Sequence, residues 1–259
     1  MSRIANAFVT GKAFIGFVTA GDPSLPKSEE YILAMIAAGA DLIEIGLPFS
    51  DPIAEGPVIQ EADLRALAAG TTIDGVFELV QSLRRQTQVP LVLLTYLNPV
   101  LHYGYESFFS RCAEAGVDGL IVPDLPFDEK HEICEIAASH GIDLISLIAP
   151  TSAQRIATIA AEATGFIYLV SSLGVTGTRG QITTDLAAII EVIRSVTSVP
   201  VAVGFGIHTP EQVHEIGQQA DGVIVGSAIV KRIAADPDGA AQVLSDYVRE
   251  MRAALDAYC

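Results

Sequence analysis

Hydrophobic residues gather in eight short and nearly continuous runs along the chain. Four of the runs follow an Ala-rich stretch that ends in Gly-x-Asp or Gln-Ala-Asp, and two others open with Val-Pro. The runs begin near positions 13, 42, 91, 119, 144, 166, 201 and 222. Runs that are apolar throughout, instead of alternating with polar residues, indicate strands of a parallel sheet that is covered on both faces.

Stretches with one apolar face separate most of these runs and predict helices, for example over residues 153–163 and 185–196. Thr209, Pro210 and Gln212 form a helix start signal with an N-cap and a capping box. Strand and helix alternate at about 30 residues per unit, which predicts a (β/α)8 TIM barrel. An open doubly wound sheet is the structural alternative. Because no linker or low-complexity tract interrupts the pattern, we expect residues 1–259 to form a single domain.

Composition excludes several classes of function. The net charge is −16 and no Lys/Arg cluster is longer than a pair, which argues against a nucleic-acid partner. The three cysteines and five histidines lack metal-ligand spacing, so we expect no metal site and no disulfide. The chain shows no signal-peptide pattern and no apolar run of membrane-spanning length, so we expect a cytoplasmic protein without a membrane contact.

Two glutamates are the strongest candidates for catalysis. Glu44 interrupts the apolar run 42–47, where a buried carboxylate is costly unless it is paired or used. Glu55 follows eleven positions later, in a turn-rich loop that leaves this run. One acid on a strand and one on the next loop suit general acid–base chemistry. The alternatives are a structural ion pair for Glu44 and a surface position for Glu55.

Aromatic and polar side chains mark the ends of four other predicted strands. In a TIM barrel the active site lies at the carboxyl ends of the strands, where Phe17, Tyr96, Asp124 and Tyr168 occur. Each tyrosine fits either a core position or a wall of a substrate pocket. Asp124 fits either a turn acid or a polar contact to the substrate.

Glycines at the last two strand ends indicate a phosphate site. Barrels often bind phosphate with these two loops and the start of a short helix. Gly206 allows a close approach of the backbone, and Gly226-Ser227 precedes a short helix whose amides would face an anion. The glycine-rich segment 171–181 after the sixth strand fits either a substrate-closing lid or a solvated connector.

Six motifs together resemble the tryptophan synthase α subunit family along nearly the whole chain. Their order and spacing are highly specific. They are Phe-Val-Thr-Ala-Gly-Asp-Pro at 17–23, the Glu44 segment at 44–57, Pro-Asp-Leu-Pro at 123–126, Gly-Val-Thr-Gly at 174–177, Gly-Phe-Gly-Ile at 204–207 and Gly-Ser-Ala-Ile-Val-Lys at 226–231.

The resemblance implies a lyase of tryptophan biosynthesis that cleaves indole-3-glycerol phosphate to indole and glyceraldehyde 3-phosphate. It assigns the proton transfers to Glu44 and the contact with the indole N–H to Glu55, where many family members have Asp. By the same resemblance, Phe17, Tyr96 and Tyr168 wall the indole pocket. Thr176 would meet the loop acid on lid closure, and Gly177, Gly206, Gly226 and Ser227 would bind phosphate.

The resemblance also implies a partner and no cofactor in this chain. The partner is a β subunit that carries pyridoxal phosphate, in an α2β2 heterotetramer. The expected contact surface comprises the loop from Pro48 to Gly56 together with Asn98 and Pro126. Two alternatives stay open from the sequence. One is a non-catalytic allosteric partner of the β subunit, and the other is a stand-alone indole-3-glycerol-phosphate lyase.

Overall fold

Parallel strands form one sheet in this computed structural model, which describes residues 2–171, 185–204 and 206–257. The sheet order is β5-β4-β3-β2-β1-β9-β8-β7-β6. The strands are β1 Ala13–Thr19, β2 Leu42–Gly46, β3 Leu91–Leu94, β4 Gly119–Ile121, β5 Asp143–Leu144, β6 Ser146–Ile148, β7 Ile167–Val170, β8 Val201–Gly204 and β9 Gly222–Val225.

The sheet closes on itself through two short segments, β5 and β6. β5 pairs with β4 and β6 pairs with β7, and only Ile145 lies between them. The Ile145 N–H donates to the Leu120 carbonyl at 2.9 Å, so the chain continues along the barrel wall. β5 and β6 are therefore two parts of one barrel strand, and the predicted (β/α)8 barrel is confirmed. The open doubly wound sheet is wrong, because the first strand pairs with the last and the two outermost segments of the sheet order, β5 and β6, join through Ile145.

Helices surround this barrel in the part of the chain that the structure describes. Their bounds are α1 Arg3–Asn6, α2 Leu25–Ala37, α3 Pro57–Ala68, α4 Ile73–Arg84, α5 Leu97–Tyr103, α6 Tyr105–Ala115, α7 His131–Ser139, α8 Ala153–Ala161, α9 Leu186–Arg194, α10 Pro210–Gly217, α11 Ser227–Ala235 and α12 Ala240–Asp256, with a 3-10 turn at Phe127–Glu129. The predicted capping box at Thr209 is present. No described helix is both long and apolar enough to cross a bilayer.

Three of the four recurring aspartates tie the strand that follows them to the preceding strand of the barrel. We call this arrangement an aspartate stitch: the Asp N–H donates to a carbonyl of the preceding barrel strand, and the Asp carboxylate accepts the N–H of the same residue. The side-chain bonds are Asp41 to Phe14 N at 2.7 Å, Asp118 to Leu91 N at 2.8 Å and Asp221 to Val201 N at 2.9 Å. The backbone bonds to the same residues are 2.9, 2.9 and 2.8 Å long.

The interior of the barrel differs between its two ends. At the amino end, buried apolar side chains such as Ile4, Ile15, Leu42 and Phe166 fill the space. Towards the carboxyl end, polar and aromatic side chains such as Glu44, Phe17 and Tyr168 join the aliphatic ones on the inward face, and the interior opens into a cavity. We call this open end the mouth. The amino end is therefore the packed core, and the mouth is the place for a functional site.

Candidate active site

A cavity of about 690 Å³ includes the mouth of the barrel and brings most of the predicted site residues together. Apolar side chains such as Ile59 and Leu94 complete its walls beside them. The predicted residues that line it are Phe17, Glu44, Glu55, Tyr168, Gly226 and Ser227. They come from both halves of the chain, so the folded barrel is required to assemble them.

Glu44 lies in the middle of β2 with its side chain inside the barrel. It is 1% exposed, and its Oε1 atom has no hydrogen-bond partner among the described residues. Burial, and then the charge of Glu55, raise the pKa of Glu44 to about 8. An acid with this pKa exchanges a proton readily near neutral pH, as a general acid–base catalyst must.

Glu55 is held by its backbone in the loop that precedes α3. The residue is 5% exposed, and its N–H donates to the Pro52 carbonyl at 3.3 Å. Gln60, in the first turns of α3, donates through Nε2 to the Glu55 carbonyl at 2.8 Å. Sequence reasoning missed Gln60, because a polar residue near a helix start gives no sign of its partner. The two contacts fix the position from which the Glu55 carboxylate reaches into the cavity.

Two strand glycines make room for the aromatic walls. A Cβ atom at Gly46 would lie 2.7 Å from Cζ of Phe17, and one at Gly204 would lie 2.7 Å from ring carbons of Tyr168. Any side chain at either position would therefore push an aromatic ring out of place. Sequence reasoning missed both glycines, although glycine inside a strand is a sign of close approach by another group.

Burial, and then the charges of Glu44 and Glu55, raise the pKa of Tyr168 well above its ordinary value. The phenol is therefore neutral at any physiological pH. Tyr168 is 6% exposed and lies on β7, whose neighbour β8 ends at Gly204. Its role as a wall of the indole pocket stays a prediction, and its place in the cavity is compatible with that role.

Tyr96 and Asp124 lie beside the cavity and support the loops around the mouth. The Tyr96 hydroxyl accepts the Ala54 N–H at 3.0 Å, next to Glu55, and its ring packs 5.4 Å from that of Phe49. Asp124 Oδ1 accepts the N–H of Leu97, the first residue of α5, at 2.9 Å. Neither side chain is part of the cavity lining, so their predicted substrate contacts stay predictions.

The start of α11 lines the cavity and is a candidate anion site. Gly226 is the N-cap, and its carbonyl accepts the N–H groups of Ile229 and Val230 at 2.8 and 3.1 Å. The earlier N–H groups of the first turn have no intrahelical acceptor, and the positive end of the helix dipole lies here. Gly206 adopts φ +88° as predicted for a glycine turn, but does not line the cavity. Thr176 and Gly177 lie outside the described residues.

The described residues hold no group of three or more His, Cys, Asp or Glu side chains that could bind a metal ion. Cys112 and Cys134, the described cysteines, are free thiols. The cavity thus offers a buried acid with a raised pKa, a second acid on a fixed loop, aromatic walls and a helix start for an anion. This set suits a substrate that has an aromatic ring at one end and a phosphate at the other.

Comparison with known proteins identifies the family. The family profile described as "Tryptophan synthase alpha chain" matches residues 5–257. The chain belongs to this family. It is 48% identical over 257 residues to the tryptophan synthase alpha chain of Lacticaseibacillus casei, covering 99% of this chain and 97% of that one. It is 53% identical over 257 residues to that of Lactiplantibacillus plantarum, with the same coverage.

Solved tryptophan synthases have the same fold. The alpha subunit of Legionella pneumophila superposes with a TM-score of 0.89 at 34% identity, covering 99% of both chains. A chain of the tryptophan synthase complex of Pyrococcus furiosus superposes with a TM-score of 0.86 at 37% identity, covering 94% of this chain and 100% of that one.

The family settles the general function of the chain. A tryptophan synthase alpha chain is a subunit of a lyase of tryptophan biosynthesis and partners with a β subunit. The resemblance inferred from the six sequence motifs is confirmed. Neither the non-catalytic partner nor the stand-alone lyase is favoured by these findings.

Proposed function

We propose that this protein cleaves indole-3-glycerol phosphate to indole and glyceraldehyde 3-phosphate by a retro-aldol reaction. The observation that carries the proposal is Glu44. It is a buried carboxyl group whose pKa is raised to about 8, with one oxygen unpaired, and it lines the same cavity as Glu55. Indole is a poor leaving group as an anion, so its ring must receive a proton before the bond to the glycerol chain breaks.

In the proposed first step, protonated Glu44 gives its proton to C3 of the indole ring. The ring nitrogen then carries positive charge, and Glu55 stabilises that charge by accepting a hydrogen bond from the N–H. A carboxylate placed where charge develops lowers the barrier more in a buried site than in water. Glu55 is 5% exposed, so its interaction with the ring is only weakly screened by solvent.

In the second step, the Glu44 carboxylate removes the proton of the hydroxyl on the carbon that is attached to C3. The C–O bond becomes the carbonyl of glyceraldehyde 3-phosphate, and the electrons of the C–C bond return to the ring to give indole. Glu44 ends the cycle protonated, as it began. One residue therefore serves as acid and then as base, which suits a pKa near the working pH.

The start of α11 is proposed to bind the substrate phosphate through backbone amides. Gly226 and Ser227 line the cavity, and the helix start supplies free N–H groups and a positive dipole end. The chain has a net charge of −16, so amides are better suited to this task than a cationic cluster. Phosphate at α11 and the ring beside Glu44 would place the scissile bond within the barrel mouth.

We further propose an α2β2 complex in the cytoplasm, with pyridoxal phosphate in the β subunit and no cofactor in this chain. The mouth carries two well-exposed apolar side chains, Ile53 at 74% and Leu101 at 58% exposure. Exposed apolar groups around a site are typical of a surface that meets a partner. Because indole is apolar and escapes easily, direct passage to the partner would retain it.

A direct assay tests the reaction. Purified protein is given indole-3-glycerol phosphate, and both products are measured with and without a matched β subunit. Glu44→Gln, which keeps the shape but cannot transfer a proton, should lower kcat by roughly 10²–10⁴-fold with KM little changed. Glu61→Gln, an exposed position on α3, is the matched control and should behave as wild type. A wild type that releases no indole under either condition would refute the proposed reaction.

A further inference from the structure

The cavity continues beyond the barrel mouth, to the outer side of the fifth barrel strand. There its lining includes side chains that the proposed reaction does not use. They come from the 3-10 turn, α7, β5 and α8, and they are Phe127, Cys134, Ala138, Leu144 and Ile159. We call the space between these five side chains the outer cleft.

The ring of helices opens at the outer cleft. α6 packs on α7 and α8 packs on α9, whereas α7 and α8 pack more weakly on each other. Leu144 and Ile159 belong to the core between the strands and the helices, yet they stay only partly buried. Because the strands of a barrel are normally covered by helices on this side, the outer cleft is a gap with apolar walls.

The barrel wall beside the outer cleft lacks a backbone ladder. The bonds between β4 and the fifth barrel strand end with the Ile145 N–H, which donates to the Leu120 carbonyl. From there β6 pairs with β7 alone, since it ends the order of the described sheet. Val122 and Leu147 line the cavity from the two sides of this gap. One cavity therefore extends from the mouth, beside Glu44, to the outer cleft.

Two ion pairs bridge the two sides of the outer cleft. Lys130, just before α7, pairs with Glu162, just after α8, at 2.6 Å. Arg155 on α8 donates to both carboxylate oxygens of Asp128 at 3.1 and 2.7 Å. Lys130 and Arg155 also lie over the ring of Phe127, at 4.5 and 5.3 Å from its centroid. These four charges balance one another, so they favour neither an anion nor a cation as a ligand.

The remaining acid of this part of the lining, Asp143, faces the other side of the wall. Side chains alternate along a strand, and Ile145, two positions on, packs in the barrel interior. The Asp143 carboxylate therefore adds no charge to the outer cleft. Apolar walls with balanced charges suit an uncharged ligand, and an aromatic one gains a ring contact with Phe127 beyond the burial of its surface.

We propose that the outer cleft is a second binding site, for a small uncharged aromatic molecule, and that indole is its natural occupant. The choice of indole rests on the proposed function, which releases this neutral ring inside the same cavity. Once the C–C bond has broken, indole no longer carries the phosphate that anchors the substrate at α11. It then moves within the cavity, and the outer cleft offers it apolar walls at the far end.

Alkylation of Cys134 by iodoacetamide tests this binding without any reaction. Cys134 lines the outer cleft and is partly exposed, whereas Cys112 is buried and serves as the unreactive control. Indole is added to the full chain, and mass spectrometry of the digested protein gives the rate at each cysteine. We expect the rate at Cys134 to fall about tenfold once indole exceeds its Kd about tenfold, because only the empty cleft reacts. The amide NMR signals of Ala138 and Ile159 should shift with the same Kd.

Two larger side chains should close the outer cleft from opposite walls. Ala138→Phe fills it from α7 and Ile159→Trp from α8, so indole should no longer shift the amide signal of Cys134 in either variant. The variants alter different helices, so if one fails to fold, the other decides. Ser139→Phe, on an exposed neighbour of Ala138 outside the cavity lining, is the matched control and should bind indole as wild type does.

Charged probes test the class of ligand. Tryptamine and indole-3-acetate carry the same ring with opposite charges, and both should bind more weakly than indole, since the paired ions compensate neither charge. Tighter binding of either probe would contradict the proposal.

Two results with indole itself would also overturn the proposal. One is unhindered alkylation of Cys134, with unmoved NMR signals, at the solubility limit of indole. The other is equal binding of indole by wild type and by both filled variants. Neither measurement requires cleavage. If wild type releases no indole from indole-3-glycerol phosphate, the proposed function has failed, and the binding data still decide whether the outer cleft is a site.

Discussion

Glu44 makes the stability of the barrel depend on pH. Its pKa rises from 4.5 to about 8 on folding, so between these values the native state holds a proton that the unfolded chain has released. The free energy of unfolding therefore falls as the pH rises through this window. The contribution of Glu44 is complete below pH 4.5 and is lost above pH 8. An acid buried at this place thus lowers the stability of the protein at alkaline pH.

Glu44→Gln should remove part of the dependence of the free energy of unfolding on pH. Gln cannot ionise, so the variant should be more stable than wild type at pH 9 and similar to it at pH 4.5, in urea unfolding at both pH values. Glu61→Gln, which changes an exposed acid, should follow the wild-type curve. Parallel curves for Glu44→Gln and wild type would mean that Glu44 is not buried in its neutral form.

At the residue scale, the sequence pointed to the acids that interrupt an apolar pattern. Glu44 stands out because a carboxylate is rare inside a buried strand; the structure places it in the cavity, and its catalytic role stays a prediction. The burial of Asp63 on α3 could not be predicted from the sequence, because an acid on an amphipathic helix usually faces solvent. Gly46 and Gly204 were missed because the rings that need their space, Phe17 and Tyr168, lie on neighbouring strands. Such pairs depend on the register of the sheet.

The start of α11 is the proposed binding site for the substrate phosphate. A Cβ atom at Gly226 would touch Phe17 at 3.5 Å, an ordinary contact, so a small side chain fits without displacing the backbone. Gly226→Ala should therefore fold normally and raise KM modestly, and Gly226→Val should raise it further as the side chain fills the anion site. The measurements are KM for the substrate and the inhibition constant of glycerol phosphate. Unchanged values in both variants would place the phosphate elsewhere.

The aspartate stitches are elements of stability at the amino end. Asp118 accepts bonds from Arg3 at 2.6 Å, Arg84 at 2.7 Å and Leu91 N at 2.8 Å, and it is 8% exposed. Asp118→Ala removes the carboxylate that balances the charge of the half-buried Arg84, which keeps only backbone carbonyl acceptors. It should therefore reduce the free energy of unfolding by about 3–5 kcal/mol in urea titrations.

Asp221→Ala is the matched comparison for that measurement. Arg194, the ion-pair partner of Asp221, is 51% exposed, so solvent replaces the lost partner. The loss should be about 1 kcal/mol. Equal losses for the two stitches would show that the buried network around Asp118 adds nothing to the backbone bond that both share.

At the element scale, the sequence predicted all eight barrel strands and the Thr209 cap, because apolar runs and capping residues are local signals. The division of the fifth strand at Ile145 was not predicted. Residues 144–150 were predicted as one strand, and the break arises because β5 and β6 pair with different neighbours. The hydrogen bond between Tyr96 and the Glu55 loop could not be predicted either, since it joins two loops far apart in the sequence.

For the whole molecule, the exposed apolar side chains predict where the β subunit binds. Leu101→Asp, at the mouth, should weaken the complex and reduce the stimulation of indole release, while the unassisted rate stays as in wild type. Val196→Asp changes an apolar residue that is 43% exposed at the opposite, amino end, and it should leave the complex intact. Analytical ultracentrifugation with a matched β subunit measures how strongly each variant binds. Equal binding by the two variants would move the interface away from Leu101.

The aspartate stitches have a further consequence for how this protein can be altered. Each of them lies at the amino end, whereas the acids, the aromatic walls and the start of α11 lie at the mouth. The stitches between strands and the proposed substrate contacts therefore involve separate sets of residues, at opposite ends of the same strands. Substitutions that strengthen the stitches should raise the melting temperature. The added stability would then tolerate destabilising substitutions in the mouth.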